Sequence, residues 1–206
     1  MTAELAALTA EKAALRKQIF ARRRAPHAEK ADRDPRANNA LLAAVGSASG
    51  AIVAGYRPIR TEIDPTDAMT DLHNAGARIC VPVIEALHHP LKFREWTPDC
   101  EMIEGAFGAA VPATGEYLDP NIVIAPLVGW DRQGWRLGYG GGFYDRSLEG
   151  LRAKQPTRAI GFAYAAQELP EAPQEPTDQQ LDAIVTEDET ILIDRGVGSK
   201  FNRQDK

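Results

Sequence analysis

Four glycines fall within five positions, Gly138, Gly140, Gly141 and Gly142, broken only by Tyr139, just ahead of Phe143-Tyr144-Asp145-Arg146. Glycine lets the backbone take positive φ and come close to a ligand, and a helix opening after such a turn offers unpaired N–H groups to an anion. A polyphosphate is one reading of this stretch; a flexible hinge is the other, and spacing alone does not separate them. No Gly-x4-Gly-Lys-Ser/Thr is present, so it is not a P-loop. A dinucleotide fingerprint would need its third glycine where Phe143 stands, and a tight turn where a long loop separates strand from glycines.

Charged residues around this loop each admit two readings. Asp145 falls in the first turn of the expected helix, where an acid favours the macrodipole or, beside phosphates, holds Mg²⁺. Asp182 precedes the apolar run Ala183-Ile184-Val185 and is, by itself, a strand-flanking acid. Lys12 and Arg16 lie one turn apart on the first expected helix. They form a cationic pair for phosphate, or Lys12 only snorkels from an apolar stripe. The Arg22-Arg23-Arg24 run reads as a solvated face. Glu62 lies in the loop after the first strand, where open α/β sheets bind ligands. His88-His89 read as exposed loop residues rather than metal ligands. No Ser-His-Asp or Cys-His pattern is legible, so no protein nucleophile is expected.

Composition narrows the function classes. The 206 residues are 44% hydrophobic and 26% charged, with net charge −5, as in an ordinary globular domain. Residues 1–36 carry nine Lys/Arg against five Asp/Glu, and the remainder fifteen against twenty-four. An acidic body argues against broad nucleic-acid binding and makes the basic arm a local feature. Cys80 and Cys100 have neither metal nor disulfide-framework spacing. Ala37–Tyr56 lacks charge for twenty residues, but its asparagines, serines and three glycines exclude a membrane span. No membrane or nucleic-acid partner, a cytoplasmic location, and a monomer or weak dimer are expected.

The elements that must position these residues follow from periodicity. Residues 2–24 read as one long helix with Thr2 as N-cap, ending before Pro26, its stripe being Leu5, Leu8, Leu15 and Ile19. Asp34-Pro35 and Asp64-Pro65 open two more helices, the second ended by Gly76. Short apolar runs at 51–54, 79–83, 122–125, 159–163, 183–185 and 191–193 read as strands, with Pro126 closing the third. Residues 91–96 alternate as a half-exposed strand or hairpin arm. A helix is expected over about 143–151, loops over 105–120 and 168–178, and a frayed tail over about 197–206. Strand, helix, strand with short connections implies an open, mainly parallel, Rossmann-like α/β sheet flanked by helices, with a long N-terminal helix, in a single domain spanning 1–206.

Trp130 to Arg146, reading WDRQGWRLGYGGGFYDR, resembles the signature of the 5-formyltetrahydrofolate cyclo-ligase family. Lys12-x-x-Leu15-Arg16, Tyr56-x-Pro58-x-x-x-Glu62-Ile63, Phe93-Arg94-x-Trp96 and Leu181 to Thr186 are similar to it as well. Trp130 stands where the family usually has a smaller aromatic, and Gly105 to Leu118 matches least. The resemblance implies Mg²⁺- and ATP-dependent cyclisation of 5-formyltetrahydrofolate to 5,10-methenyltetrahydrofolate, releasing ADP and phosphate. The formyl oxygen would attack the γ-phosphate and N10 would close the ring. It implies that Lys12, Arg16, Arg136, Leu137, Gly138, Tyr139, Gly140, Gly141, Gly142, Phe143 and Tyr144 bind ATP. It implies that Arg57, Glu62 and Tyr139 to Phe143 bind the folate, and that Asp145 and Asp182 hold Mg²⁺. Two other readings fit the residues: a non-catalytic folate- or nucleotide-binding relative, and a sugar-phosphate isomerase or CoA-transferase-like enzyme on a similar sheet.

Overall fold

The structure, a computed structural model, describes residues 3–29 and 33–195. Thr2 and the tail from 196 onward, with the expected N-cap and frayed end, lie outside them. A seven-stranded sheet has the order β11-β10-β9-β6-β1-β2-β3. Its strands are β1 (Ile52–Ala54), β2 (Arg78–Val83), β3 (Lys92–Trp96), β6 (Ile122–Pro126), β9 (Arg158–Phe162), β10 (Ala183–Val185) and β11 (Thr190–Leu192). The five central strands run parallel, while β3 and β11 pair antiparallel at the edges. Parallel strands covered on both faces read as continuous apolar runs, which is why they stood out in the sequence.

Alternation along each strand sends neighbours to opposite cores. Val53 and Ile124 pack with α3 (Pro35–Val45) and α4 (Thr66–Asn74) through Leu41, Val45, Met69 and Leu72. Ala54, Val123 and Ala125 pack on the other face with Leu148 and Leu151 of α5 (Phe143–Lys154). Asp34 caps α3 by accepting from Arg36 N at 2.8 Å, and Asp64 accepts from Thr66 N at 2.9 Å at the start of α4. The chain leaves β1 for β2 on one side and returns through β6 on the other. The loops after β1 and β6 therefore meet at the switch point of the sheet, where such folds bind ligands.

Four expectations change. The first helix, α1 (Ala3–Arg22), breaks at Arg23, and a short α2 (Arg24–Ala28) contains Pro26. Pro26 is tolerated because it lies in the first turn of α2, where its missing N–H has no helical partner to lose. Residues 105–120 are not all loop: β5 (Ala110–Pro112) pairs antiparallel with β4 (Met102–Glu104). The strand ending at Pro126 keeps that proline in register with Phe162 as its last residue. Residues 168–178 are not simply an exposed loop. Leu169 and Ala172 are buried with Ile19, Val128 and Leu137, so this segment seats α1 on the molecule.

Candidate functional site

The glycine loop is delivered by a small hairpin that sequence periodicity did not reveal. β7 (Gly129–Trp130) pairs antiparallel with β8 (Arg136–Leu137). Asp131, fully buried, holds the turn between them. Its Oδ1 accepts from Gln133 N and Trp135 N, each at 3.0 Å, and its Oδ2 from Ala172 N at 2.9 Å. Leu137 puts its side chain into the core beside Ile19, so only its backbone faces the site. Beyond it the chain turns through Gly140 (φ +101°) and Gly142 (φ +61°), conformations that other residues rarely take. Gly142 is the N-cap of α5 and no side chain caps that helix. The first-turn amides of α5 are thus left to a ligand or water.

α1 lays its cations against this loop. Arg16 Nε donates to Gly138 O at 2.8 Å, and a Cβ built on Gly140 would come 3.3 Å from Arg16 Nη2. Burial pulls the Arg16 guanidinium below its ordinary range, with Glu175 opposing. Lys12 is 8% exposed. Its ammonium donates to Glu175 at 2.8 Å and Asp178 at 3.3 Å. A snorkelling lysine would keep that ammonium in water, so the snorkelling alternative fails.

The acids expected at a metal both hold arginines. Arg136 pairs with Asp145 Oδ1 and donates to Gln179 O, and Gln179 N donates back to the same Oδ1 at 3.0 Å. Asp182 accepts from Arg152 at 2.9 Å and Ala159 N at 2.7 Å through Oδ2, and from Arg195 at 2.8 Å through Oδ1. Among the described residues no cluster of three or more His, Cys, Asp or Glu could hold a metal ion. Arg146, donating to Gly141 O, and Arg152 each keep a buried Nε with no hydrogen-bond partner among the described residues. An unmet buried donor costs about 1–3 kcal/mol, and more when charged, so an anion beside Arg146 in the first turn of α5 would be stabilised.

Glu62, on the loop after β1, is 4% exposed. Its Oε2 accepts from Ile59 N at 2.8 Å and its Oε1 from the Tyr139 hydroxyl at 2.7 Å. The residue expected to bind folate therefore touches the loop expected to bind phosphate. Burial pushes the Glu62 carboxyl up, while the Ile59 amide, the Tyr139 hydroxyl and the charges of Arg23 and Arg60 oppose that shift. Burial and the Glu62 charge push the Tyr139 phenol up in turn. Tyr56, packed in the core, donates to Ile63 O at 2.7 Å and so fixes the far end of the Glu62 loop. Arg57 donates instead to Thr66 Oγ1 at 2.8 Å, and none of its recorded contacts reaches Glu62 or the glycines.

Arg23 is the residue that sequence reasoning misplaced. It is fully buried, not on a solvated face. It donates to Thr61 Oγ1 at 2.9 Å and to the Tyr139 oxygen at 3.1 Å. Its neighbours Arg22 and Arg24 are exposed as expected. The signal was the stripe itself: Leu8, Lys12, Leu15, Ile19 and Arg23 follow in steps of four, three, four and four. Two stripe positions carry cations, and both are buried.

A model of the 5-formyltetrahydrofolate cyclo-ligase family matches residues 8–187, which includes every residue expected from the sequence to bind a ligand or metal. The chain belongs to the 5-formyltetrahydrofolate cyclo-ligase family. Among its relatives, the 5-formyltetrahydrofolate cyclo-ligase of Escherichia coli K12 is 32% identical over 146 residues, 65% of this chain and 76% of the relative. That of Mycoplasma pneumoniae is 30% identical over 183 residues, covering 86% of this chain and 99% of the relative. The structure of Aquifex aeolicus 5,10-methenyltetrahydrofolate synthetase superposes with a TM-score of 0.70 at 25% identity, over 94% of this chain and 99% of that one. Membership makes the chain an enzyme of the cyclo-ligase type. No described helix is long and apolar enough to cross a membrane.

Proposed function

We propose that the chain converts 5-formyltetrahydrofolate to 5,10-methenyltetrahydrofolate, with ATP cleaved to ADP and phosphate. Family membership supports the folate conversion; the observation that supports the site is the Tyr139–Glu62 hydrogen bond at 2.7 Å. It joins the loop suited to phosphates and the buried acid suited to pterin N–H donors at one place on the sheet. The formyl oxygen attacks the γ-phosphorus as ADP leaves, giving a formyl group phosphorylated on its oxygen. N10 attacks that carbon, loses its proton, and the phosphate departs with the former formyl oxygen. The substrate supplies both nucleophiles, so the protein's work is to position and to neutralise charge.

The geometry supports the following residue roles. The amides of Gly140 to Phe143 and the guanidiniums of Arg16, Arg136 and Arg146 bind the phosphates, with Lys12 reaching them by exchange from Glu175 and Asp178. Tyr144, whose phenol burial holds well above its ordinary range, stays neutral and packs the start of α5. Glu62 accepts from the pterin, and Arg57 lines the same loop. A bound Mg²⁺ would supply charge neutralisation to the phosphates, and it takes one or two carboxylates plus phosphate oxygens. Asp145 fits such an ion, because its recorded contacts all use Oδ1 and leave Oδ2 to a cation. Asp182 does not fit while two arginines and an amide hold both its oxygens, and acts instead as the anchor of Arg152.

Purified protein incubated with 5-formyltetrahydrofolate, Mg²⁺ and ATP is expected to accumulate the absorbance of the methenyl product only when ATP is present. Absence of any ATP-dependent signal would overturn the proposal.

A further inference from the structure

Arg23 presents a problem of charge. Its guanidinium has no solvent exposure, and among the described residues no carboxylate makes an ion pair with it. A buried cation needs a compensating anion or dense hydrogen bonding. What it has is Thr61 Oγ1 at 2.9 Å, Leu127 O at 3.5 Å, the Tyr139 oxygen at 3.1 Å and the Phe20 ring, 5.2 Å from Cζ to centroid. The nearest route to a negative charge runs through Tyr139, whose hydroxyl donates to Glu62 Oε1 at 2.7 Å.

The polarity of this chain of contacts is fixed by chemistry. Arginine has only donors, so the Tyr139 oxygen must accept from Arg23. The phenolic proton is then forced toward Glu62, whose oxygen must accept. A protonated Glu62 could also accept, but the charge of Arg23 along the same line favours the carboxylate. Ile59 N occupies Glu62 Oε2 in the same sense. Glu62 is thus surrounded by donors and held as an acceptor despite 4% exposure. Four stretches of chain converge here: the α1–α2 junction, the loop after β1, the chain following β6 and the glycine loop. Phe20 also packs against the Tyr139 ring, tilted by 40° with centroids 5.7 Å apart, so the end of α1 fixes both the ring and the hydroxyl.

We infer that Arg23 is a positioning residue for the folate half of the site, holding Glu62 ionised and correctly aimed through the hydroxyl of Tyr139. This rests on the proposed role of Glu62 in folate binding. It assigns a function to the break between α1 and α2: the break places Arg23 beneath the Glu62 loop, while Arg16, two turns earlier, reaches the phosphate loop. One helix therefore serves both ligands, each with a different arginine.

The groups facing Glu62 are Arg23 from the α1–α2 junction, Arg60 on its own loop and Tyr139 on the glycine loop. Tyr56 at the end of β1 and Tyr144 on α5 also feel its charge, but both carry neutral phenols. Of these, Arg23 and Arg60 are the cations, and Arg60 is exposed where Arg23 is not. Removal of the Arg23 charge should therefore make Glu62 harder to ionise.

The test uses steady-state kinetics of the full chain with each substrate varied in turn, and the pH profile of kcat/KM for 5-formyltetrahydrofolate. Arg23→Met is expected to raise the folate KM at least about tenfold and the ATP KM less than about twofold. The acid limb of the folate kcat/KM profile should move to higher pH, because that limb reports a free-enzyme group that must be ionised. Arg23→Lys should restore part of both, since it returns a donor and a charge without the fork. Tyr139→Phe keeps the ring on Phe20 and should shift the same limb in the same direction, which provides the test if Arg23→Met does not fold. Combining Arg23→Met with Tyr139→Phe should give less than the sum of the two effects, as for groups acting in series. A folded Arg23→Met with unchanged folate KM and acid limb, or with both KM values raised equally, would overturn the inference. If that variant does not fold, an unmoved limb in Tyr139→Phe would do the same. Failure of the underlying reading looks different: Glu62→Gln would then leave the folate KM unchanged.

Discussion

The glycines at 138 and 140 should answer differently to the same added methyl, and the difference separates a ligand cradle from a hinge. A Cβ on Gly138 meets nothing within 4 Å, and Gly138 is not among the positive-φ glycines. Gly138→Ala should leave the free protein unharmed, or stabilise it by about 0.4–1 kcal/mol through reduced freedom of the unfolded chain. Gly140 has φ +101° and its Cβ would press on the Arg16 guanidinium at 3.3 Å. An unfavourable backbone region of this kind costs on the order of 1–3 kcal/mol. With an unfolding entropy of about 2 cal/mol/K per residue, that lowers Tm by roughly 2–7 °C for a chain of this size. Differential scanning fluorimetry and the ATP KM measured together give the decision. Gly138→Ala should hold its Tm yet raise the ATP KM, because the space it fills is space for the ligand. Gly140→Ala should lose both. A Gly138→Ala enzyme with wild-type ATP KM would refute the cradle and return the loop to a hinge.

Three further outcomes are expected. Lys12→Ala should raise the ATP KM by about 10- to 100-fold, the range for one charge-assisted contact of about 1.5–3 kcal/mol, with the folate KM little changed; an unchanged ATP KM would leave Lys12 as a purely structural partner of Glu175 and Asp178. Leu41→Ala, in the core under α3, should cost about 2–5 kcal/mol by urea unfolding while leaving both KM values near wild type. The carboxyl of Glu62 is raised, chiefly by burial, so the folded state binds its proton more tightly than the unfolded chain does. Its contribution to stability is then fully present below the ordinary carboxylate pKa and lost as pH rises through the folded value. Glu62→Gln should accordingly gain in Tm relative to wild type as pH rises above the ordinary carboxylate pKa of about 4, a shift that thermal melts across a pH series will detect.

What the sequence made legible follows from what has a period or a composition. The parallel strands appear as short apolar runs because both faces are covered. The glycine loop appears because four glycines in five positions are rare outside turns. The hairpins β4–β5 and β7–β8 have strands of three and two residues, too short for alternation to show. The role of residues 168–178 was hidden because prolines and acids signal a loop, while its anchors, Leu169 and Ala172, are only two apolar side chains. Arg23 was hidden by its neighbours: three consecutive arginines suggest solvent, although the stripe had already reached the middle one. The contacts of Asp145 and Asp182 with arginines depend on pairings across the fold, Arg136 with Asp145 and Arg152 with Asp182, that no local pattern encodes.

The joining of two ligands at one loop can be tested by following an atom. With 5-formyltetrahydrofolate carrying a heavy-oxygen label in its formyl group, ATP and Mg²⁺, the released inorganic phosphate should carry the label once per methenyl product formed. That transfer requires the formyl oxygen to have reached the γ-phosphorus at the glycine loop. Label appearing in water, with unlabelled phosphate, would contradict it.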